Sequence, residues 1–129
     1  MQLFGNVTQG LSAAIDLYQA RHTVLAENIA NSETPGYRAR ELDFGNALAE
    51  ALATPEPAAP GDSSSVAPTR RIPEPTIDRE AAVKPDGNSV AIDEQVGRLA
   101  ENAFKIQALT QIIASRYQGL KRVIDGGKG

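Results

Sequence analysis

The C-terminal third of the chain carries the pattern that most limits what this sequence can fold into. Mostly apolar residues recur there at alternating spacings of four and three, interrupted by one polar residue, Thr110. We call the apolar members the C-terminal seam: Ile92, Val96, Leu99, Ala103, Ile106, Ile113, Tyr117, Leu120 and Ile124. This spacing predicts one long helix with a coiled-coil-like face. At ~1.5 Å per residue the helix would be roughly 50 Å long, more than so short a chain can cover alone.

Charges and glycines support the same helix. Asp93 and Glu94 lie near its predicted start, and Lys121 and Arg122 lie near its end. Acids at a helix N-terminus and bases at its C-terminus both oppose the helix dipole. Gly126 and the glycines after it are predicted to end the helix.

A second apolar face lies near the N-terminus. Leu11, Ile15, Tyr18, His22, Leu25 and Ile29 recur at helical spacing, and Pro35 stops the pattern. We predict a helix from about Thr8 to about Asn31. The fold class is therefore predicted as mainly α, with the N- and C-terminal helices packed as a coiled-coil-like pair.

The middle of the chain differs in composition. Residues 43–53 predict a short amphipathic helix with Phe44, Leu48 and Leu52 on one side. Residues 54–75 are rich in Pro, Ser and Ala, which predicts a flexible or extended linker. A turn is predicted at Pro85–Asn88. The organisation is thus residues 1–42, 43–89 and 90–129, with one assembly domain formed by both ends.

The residue inventory argues against catalysis. The chain has no Cys and one His, and its formal net charge of -3 argues against nucleic-acid binding. His22 lies within the N-terminal apolar face, so a partly buried seam residue is favoured over a catalytic base. No phosphate-binding loop, metal-protease motif or nucleophile elbow is present in the sequence. We predict no enzyme, no cofactor, no metal site, no nucleic-acid partner and no small-molecule substrate.

The most distinctive local stretch is residues 26–44, AENIANSETPGYRARELDF. Asn28 and Asn31 suit a helix end because their side chains bond backbone groups that the helix leaves free. Pro35-Gly36 is the favoured central pair of a type II turn, from which Tyr37 would leave at a fixed angle. Taken alone, these residues could simply form a well-made helix stop.

The run Asn28, Ile29, Ala30, Asn31, Thr34, Pro35, Gly36 and Tyr37 closely resembles the motif of flagellar rod and hook proteins, the axial family of the bacterial flagellum. The residues that follow, and Asp86–Val90 before the long helix, are most similar to the proximal rod branch. The resemblance implies a structural subunit whose terminal helices form the inner layer of a tubular shaft. The implied signature and assembly residues are Asn28, Ala30, Asn31, Thr34, Pro35, Gly36 and Tyr37.

The resemblance also implies partners and a location. The expected partners are other copies of the chain in a helical assembly, other proximal rod proteins, the FliE adaptor and the flagellar type III export gate. The N-terminus lacks the charged and apolar regions of a secretory signal. The expected location is therefore the basal-body rod in the periplasm, reached by export without a cleaved signal peptide.

Two alternatives stay open from the sequence. Phe44, separated by three residues from the apolar Leu48, fits the export-gate motif that the resemblance implies, but ordinary amphipathic packing explains this spacing equally well. The seams also suit a soluble helical adaptor or export chaperone. Such a protein would stay in the cytoplasm and bind one partner, whereas a rod protein would be found in basal bodies.

Overall fold

A computed structural model of the chain describes residues 2–53 and 71–127. Within these residues the order of elements is α1 (Gln2–Ala30), β1 (Arg40–Glu41), α2 (Phe44–Leu52), β2 (Thr76–Ile77) and α3 (Ile92–Gly126). Helix α1 packs along α3, and α2 is the short middle helix. The predicted fold class, mainly α with the two terminal helices packed together, is confirmed.

Helix α1 is the central element because it packs against both other helices. Helices α2 and α3 do not contact each other within the described residues. Gly10 of α1 lies against α2, since a Cβ atom at this position would be 3.6 Å from the carbonyl oxygen of Ala51. On the same side the Tyr18 and Phe44 rings lie 4.7 Å apart between centroids, tilted by 56°. Helix α1 begins at Gln2, six residues before the predicted start at Thr8.

The apolar core lies towards the end of the helix pair where α1 finishes and α3 begins. Its members come from α1, from the segment around β1 and from the residue that precedes α3 by two positions. They are Ala14, Leu17, Tyr18, Val24, Leu25, Ala39, Leu42 and Val90. Burial of this set holds α1 to the segments that follow it in the chain.

A short antiparallel ribbon lies beside the end of α1. Arg40 pairs with Ile77 and Glu41 pairs with Thr76. The N–H of Asp78 donates to the carbonyl of Ala39 at 2.9 Å and extends the pairing. Strand β2 therefore begins directly after the predicted linker, of which residues 54–70 lie outside the described residues. None of the helices in the part of the chain that the structure describes is long and apolar enough to cross a membrane.

Candidate assembly surfaces

The chain leaves α1 through a tight turn at Thr34–Tyr37. The N–H of Tyr37 donates to the carbonyl of Thr34 at 3.2 Å, and Gly36 has a φ of 76°. Pro35 in the second position and a positive φ in the third are the features of a type II turn. Asn31 anchors the turn to the helix, since its side-chain amide donates to Glu27 O at 2.8 Å and its Oδ1 accepts from the Thr34 hydroxyl at 3.2 Å.

A second turn, at Lys84–Gly87, packs directly against the first. The N–H of Gly87 donates to the carbonyl of Lys84 at 2.9 Å, and the N–H of Gly36 donates to the carbonyl of Asp86 at 3.0 Å. Gly87 has a φ of 83°, and a Cβ atom there would lie 3.3 Å from the Gly36 Cα. Both the backbone conformation and the close approach of the two turns therefore favour glycine at position 87.

Asn88 satisfies the backbone groups that the end of α1 leaves free. Its side chain is fully buried, and its amide donates to Asn31 O at 2.9 Å and to Thr34 O at 2.7 Å. Its Oδ1 accepts from the N–H of Val90 at 2.7 Å. This side chain ties the residues that lead into α3 to the helix end that the sequence motif forms.

Asn28 joins four segments through one fully buried amide. Its Nδ2 donates to Arg40 O at 2.9 Å and to Gln95 Oε1 at 3.0 Å. Its Oδ1 accepts from the Arg40 N–H at 3.0 Å and from the Tyr37 hydroxyl at 3.2 Å. The amide thereby uses both donors and both acceptor positions. Helix α1, the turn, β1 and α3 are fixed relative to one another at this point.

The phenol of Tyr37 belongs to the same network. Burial raises the pKa of Tyr37 above its ordinary value, and the negative charge of Glu27 adds to the rise, while Arg40 acts in the opposite direction. Tyr37 therefore keeps its proton and remains a hydrogen-bond donor to Asn28. In contrast, Ala30, Thr34, Pro35 and Gly36 are exposed.

Sequence reasoning did not single out the polar residues on the other side of this junction. Ser89 is buried, donates its N–H to Tyr37 O at 3.0 Å and accepts from the Ala39 N–H through its hydroxyl at 2.8 Å. Gln95 and Asn102 are the buried residues of α3. Helical spacing was the one available signal, because Gln95, Leu99, Asn102 and Ile106 continue the alternation of four and three.

The C-terminal seam is divided between a covered and an uncovered edge. Leu99, Ile106, Ile113 and Leu120 are half-buried. Four large seam residues are exposed: Ile92 at 47%, Val96 at 49%, Tyr117 at 57% and Ile124 at 53%, with the small Ala103 exposed between them. The buried positions on α3, Gln95 and Asn102, lie to one side of the seam. We call Ile92, Val96, Tyr117 and Ile124 the uncovered edge.

Asn102 shows that the α1–α3 interface is partly polar. Its Nδ2 donates to the backbone carbonyl of Tyr18 at 2.8 Å, while its buried Oδ1 has no hydrogen-bond partner. The Nδ1 of His22 is likewise buried without a partner. A buried polar group of this kind fixes the alignment of paired helices more than it stabilises them.

Phe44 and Leu48 lie on α2, with Phe44 packed in the folded chain. The guanidinium carbon of Arg21 lies 4.7 Å from the centroid of the Phe44 ring, on which Tyr18 also packs. Leu48 is half-buried. Among the residues that the structure describes, no group of three or more His, Cys, Asp or Glu side chains could hold a metal ion.

Comparison with known proteins gives consistent relatives. The chain is 32% identical over 123 residues to the flagellar basal body rod protein FlgB of Salmonella typhimurium, covering 88% of this chain and 89% of that protein. It is 30% identical over 132 residues to FlgB of Bacillus subtilis, covering 99% of this chain and all of that protein. The chain belongs to the FlgB family. FlgB of Escherichia coli is 30% identical over 123 residues. No protein-family model matches the chain.

Membership of the FlgB family makes this chain a structural subunit of the proximal rod of the flagellar basal body. FlgB is a rod protein and not an enzyme. The comparisons do not favour a helical adaptor or export chaperone.

Proposed function

We propose that this FlgB-family chain enters the proximal rod through the uncovered edge of its C-terminal seam. The observation that carries the proposal is the division of the seam. Helix α1 covers the side of α3 that carries Gln95 and Asn102, and the four large seam residues of the uncovered edge stay exposed in the single chain. Three further large apolar residues of α3 outside the seam are also exposed: Phe104, Ile112 and Val123. An exposed apolar row of this kind is typical of a surface reserved for a partner. Other copies of the chain and other proximal rod proteins are the proposed partners.

The turn region supplies the second part of the proposal. Asn28, Asn31 and Tyr37 hold the helix end rigid, while Ala30, Thr34, Pro35 and Gly36 face outwards and contact a neighbouring subunit. A Gly36→Val substitution should prevent rod assembly, because valine disfavours the positive φ that this position adopts. A Glu33→Val variant places the same side chain at an exposed neighbouring position whose φ is not positive, and it is the matched control. Normal rod assembly with Gly36→Val at ordinary protein levels would rule out this role.

A direct test of the uncovered edge uses two single substitutions on α3. Val96→Glu and Ile124→Glu each place a charge on an exposed seam position and leave the α1-facing side of α3 unchanged. We expect folded protein by circular dichroism, loss from purified basal bodies and loss of motility. The control is Gln118→Glu, an exposed polar position on the same helix. Full motility of both edge variants would contradict the proposal.

Phe44 and Leu48 are proposed as the export-gate motif, which places the chain in the periplasmic rod through type III export without a cleaved signal, next to the FliE adaptor. The spacing of the two residues supports this role. Replacing both with Ala should leave the protein in the cytoplasm. Because Phe44 packs on Tyr18, the matched control is Tyr18→Leu, which removes the same ring contact and keeps the motif.

The two export variants separate recognition from stability. Secretion should fail for the Phe44 and Leu48 double variant and persist for Tyr18→Leu. Equal secretion of both proteins would reject the gate role. Equal failure of both would assign the defect to lost packing instead.

A further inference from the structure

Two backbone carbonyls, those of Asn31 and Thr34, close the turn by which the chain leaves α1. Asn31 O accepts from the Thr34 N–H at 3.1 Å, and Thr34 O accepts from the Tyr37 N–H at 3.2 Å. The side-chain amide of Asn88 donates to the same two carbonyls, at 2.9 Å and 2.7 Å. One side chain from the C-terminal half of the chain therefore holds both carbonyls on which the turn depends.

The neighbours of Asn88 bond the backbone at the far end of the turn. The Gly36 N–H donates to Asp86 O at 3.0 Å, and the Ser89 N–H donates to Tyr37 O at 3.0 Å. These partners are distant from the turn in the sequence. The bonds can therefore form only after the residues that lead into α3 have docked on the end of α1.

The contacts within the turn itself are few and exposed. Its two backbone bonds are joined by one from the Thr34 hydroxyl to Asn31 Oδ1, at 3.2 Å. Thr34, Pro35 and Gly36 are exposed, so packing of their side chains adds little. Ordering the backbone of a residue typically costs more free energy than one exposed hydrogen bond returns. The turn should therefore stay ordered only while the fully buried Asn88 amide is in place.

We propose that Asn88 is a positioning residue for the surface with which the turn contacts a neighbouring rod subunit. The exposed residues of the turn are presented in one fixed arrangement only when the C-terminal half is docked on α1. A chain whose C-terminal half is undocked lacks this ordered surface and does not join the rod. This positioning role rests on the proposed contact between the turn and a neighbour, and it adds the condition under which the turn can act.

Hydrogen exchange of the purified full chain, followed by NMR, tests the positioning role. The readout is the protection of the Tyr37 N–H divided by that of the Leu17 N–H, which lies within α1. Asn88→Ala should lower this ratio about tenfold or more, although Thr34 O, the acceptor of the Tyr37 N–H, is still present. An unchanged ratio would overturn the proposal. Loss of helix from the whole chain would overturn it as well, because a local role requires α1 and α3 to persist.

Val24→Ala is the control for a general loss of stability. Val24 is buried in the core on α1, and its truncation leaves the bonds of Asn88 in place. This variant should unfold at a lower urea concentration than the unaltered chain without lowering the protection ratio. An equal fall of the ratio in both variants would refute a specific role of Asn88.

Gly87→Ala disturbs the same contact without removing a hydrogen-bonding group. A Cβ atom at position 87 would lie 3.3 Å from the Gly36 Cα and would press the two turns apart. The protection ratio should therefore fall in this variant too. A ratio equal to that of the unaltered chain would show that the turn holds its form without the C-terminal half, and would contradict the proposal.

Recovery in purified basal bodies tests the consequence for assembly. At equal protein levels, Asn88→Ala should be lost from basal bodies and Val24→Ala should be retained. Equal loss of both variants would assign the defect to stability and overturn the inference. Recovery of Asn88→Ala with a low protection ratio, while Gly36→Val fails to assemble, would refute the inference and leave the contact role of the turn standing. Normal assembly of Gly36→Val would instead reject the contact role itself.

Discussion

Replacing Asn28 with leucine should destabilise the chain by about 3 kcal/mol, because its one buried amide makes four hydrogen bonds. Leucine has a similar size but neither donates nor accepts a hydrogen bond. The Oε1 of Gln95, a residue only 5% exposed, would lose the donor that now lies 3.0 Å away. A buried acceptor left unpaired costs about 1–3 kcal/mol. Loss of the bonds to Arg40 and Tyr37, which lie closer to solvent, adds about 1 kcal/mol in total.

The assay is urea denaturation followed by circular dichroism at low protein concentration. Asn46→Ala is the control, because Asn46 is exposed and, among the described residues, its side chain bonds only to Asp43 Oδ2, at 3.0 Å. That change should cost about 0.5 kcal/mol or less. Adding Gln95→Leu to Asn28→Leu should cost less than the two single changes together, because the buried Gln95 Oε1 is then no longer present without its donor. The reasoning is refuted if Asn28→Leu matches the control, or if the two changes are additive.

Three further outcomes follow from the same contacts. Gly87→Ala should lower the free energy of unfolding, measured by urea denaturation, by about 1–3 kcal/mol, because the φ of Gly87 is 83° and a Cβ atom there would lie 3.3 Å from the Gly36 Cα. Gly45→Ala is the control and should be neutral or stabilising, because Gly45 is a helical site with open space around it. Because the pKa of Tyr37 is raised, the folded chain holds the phenol proton more tightly than the unfolded chain does. The protonated Tyr37 therefore contributes fully to the free energy of unfolding below about pH 10, and this contribution is lost as the pH rises further. Tyr37→Phe should therefore flatten the fall of the unfolding free energy in that range, and an unchanged slope would argue against the assignment. Asn102→Leu should leave the midpoint of unfolding unchanged or raise it, because the buried Asn102 Oδ1 has no partner and the Tyr18 carbonyl keeps its bond within α1. A loss of about 2 kcal/mol or more in the free energy of unfolding would show that the bond from Asn102 to Tyr18 outweighs the unpaired Oδ1.

Periodicity predicted the helices well because apolar spacing is a local property. Helix α2, Phe44–Leu52, agrees closely with the helix predicted at residues 43–53. Helix α3 ends at Gly126, the first of the C-terminal glycines that were predicted to end it. The start of α1 was predicted too late, because Leu3, Val7 and Leu11 recur at spacings of four and carry the apolar repeat back to the observed start at Gln2.

The polar junction could not be predicted, because its partners are distant in the chain. Asn28 and Gln95 are 67 positions apart, and Asn88 reaches Asn31 across 57 positions. Strand β2 was also missed, since Thr76-Ile77 follows a proline-rich stretch and pairs only because Arg40 and Glu41 lie beside it. Local spacing gives no sign of such pairings.

The same limit applies to the side of α3 that faces α1. Apolar spacing gives equal weight to Leu99 and to Val96. Two hydrogen bonds decide which of them faces α1: Gln95 bonds to Asn28, and Asn102 bonds to Tyr18. These bonds hold the side of α3 that carries Gln95 and Asn102 against α1. Val96 is left exposed as a result, and so part of the seam is available to a neighbour.

Quantitative mass spectrometry of purified basal bodies, from cells that make the unaltered chain, shows whether the chain is a subunit of the rod. The chain should be recovered in several copies per basal body, together with the other proximal rod proteins. Its absence from basal bodies, with the protein held in the cytoplasm in a fixed complex with one partner, would contradict the account and favour a helical adaptor or chaperone.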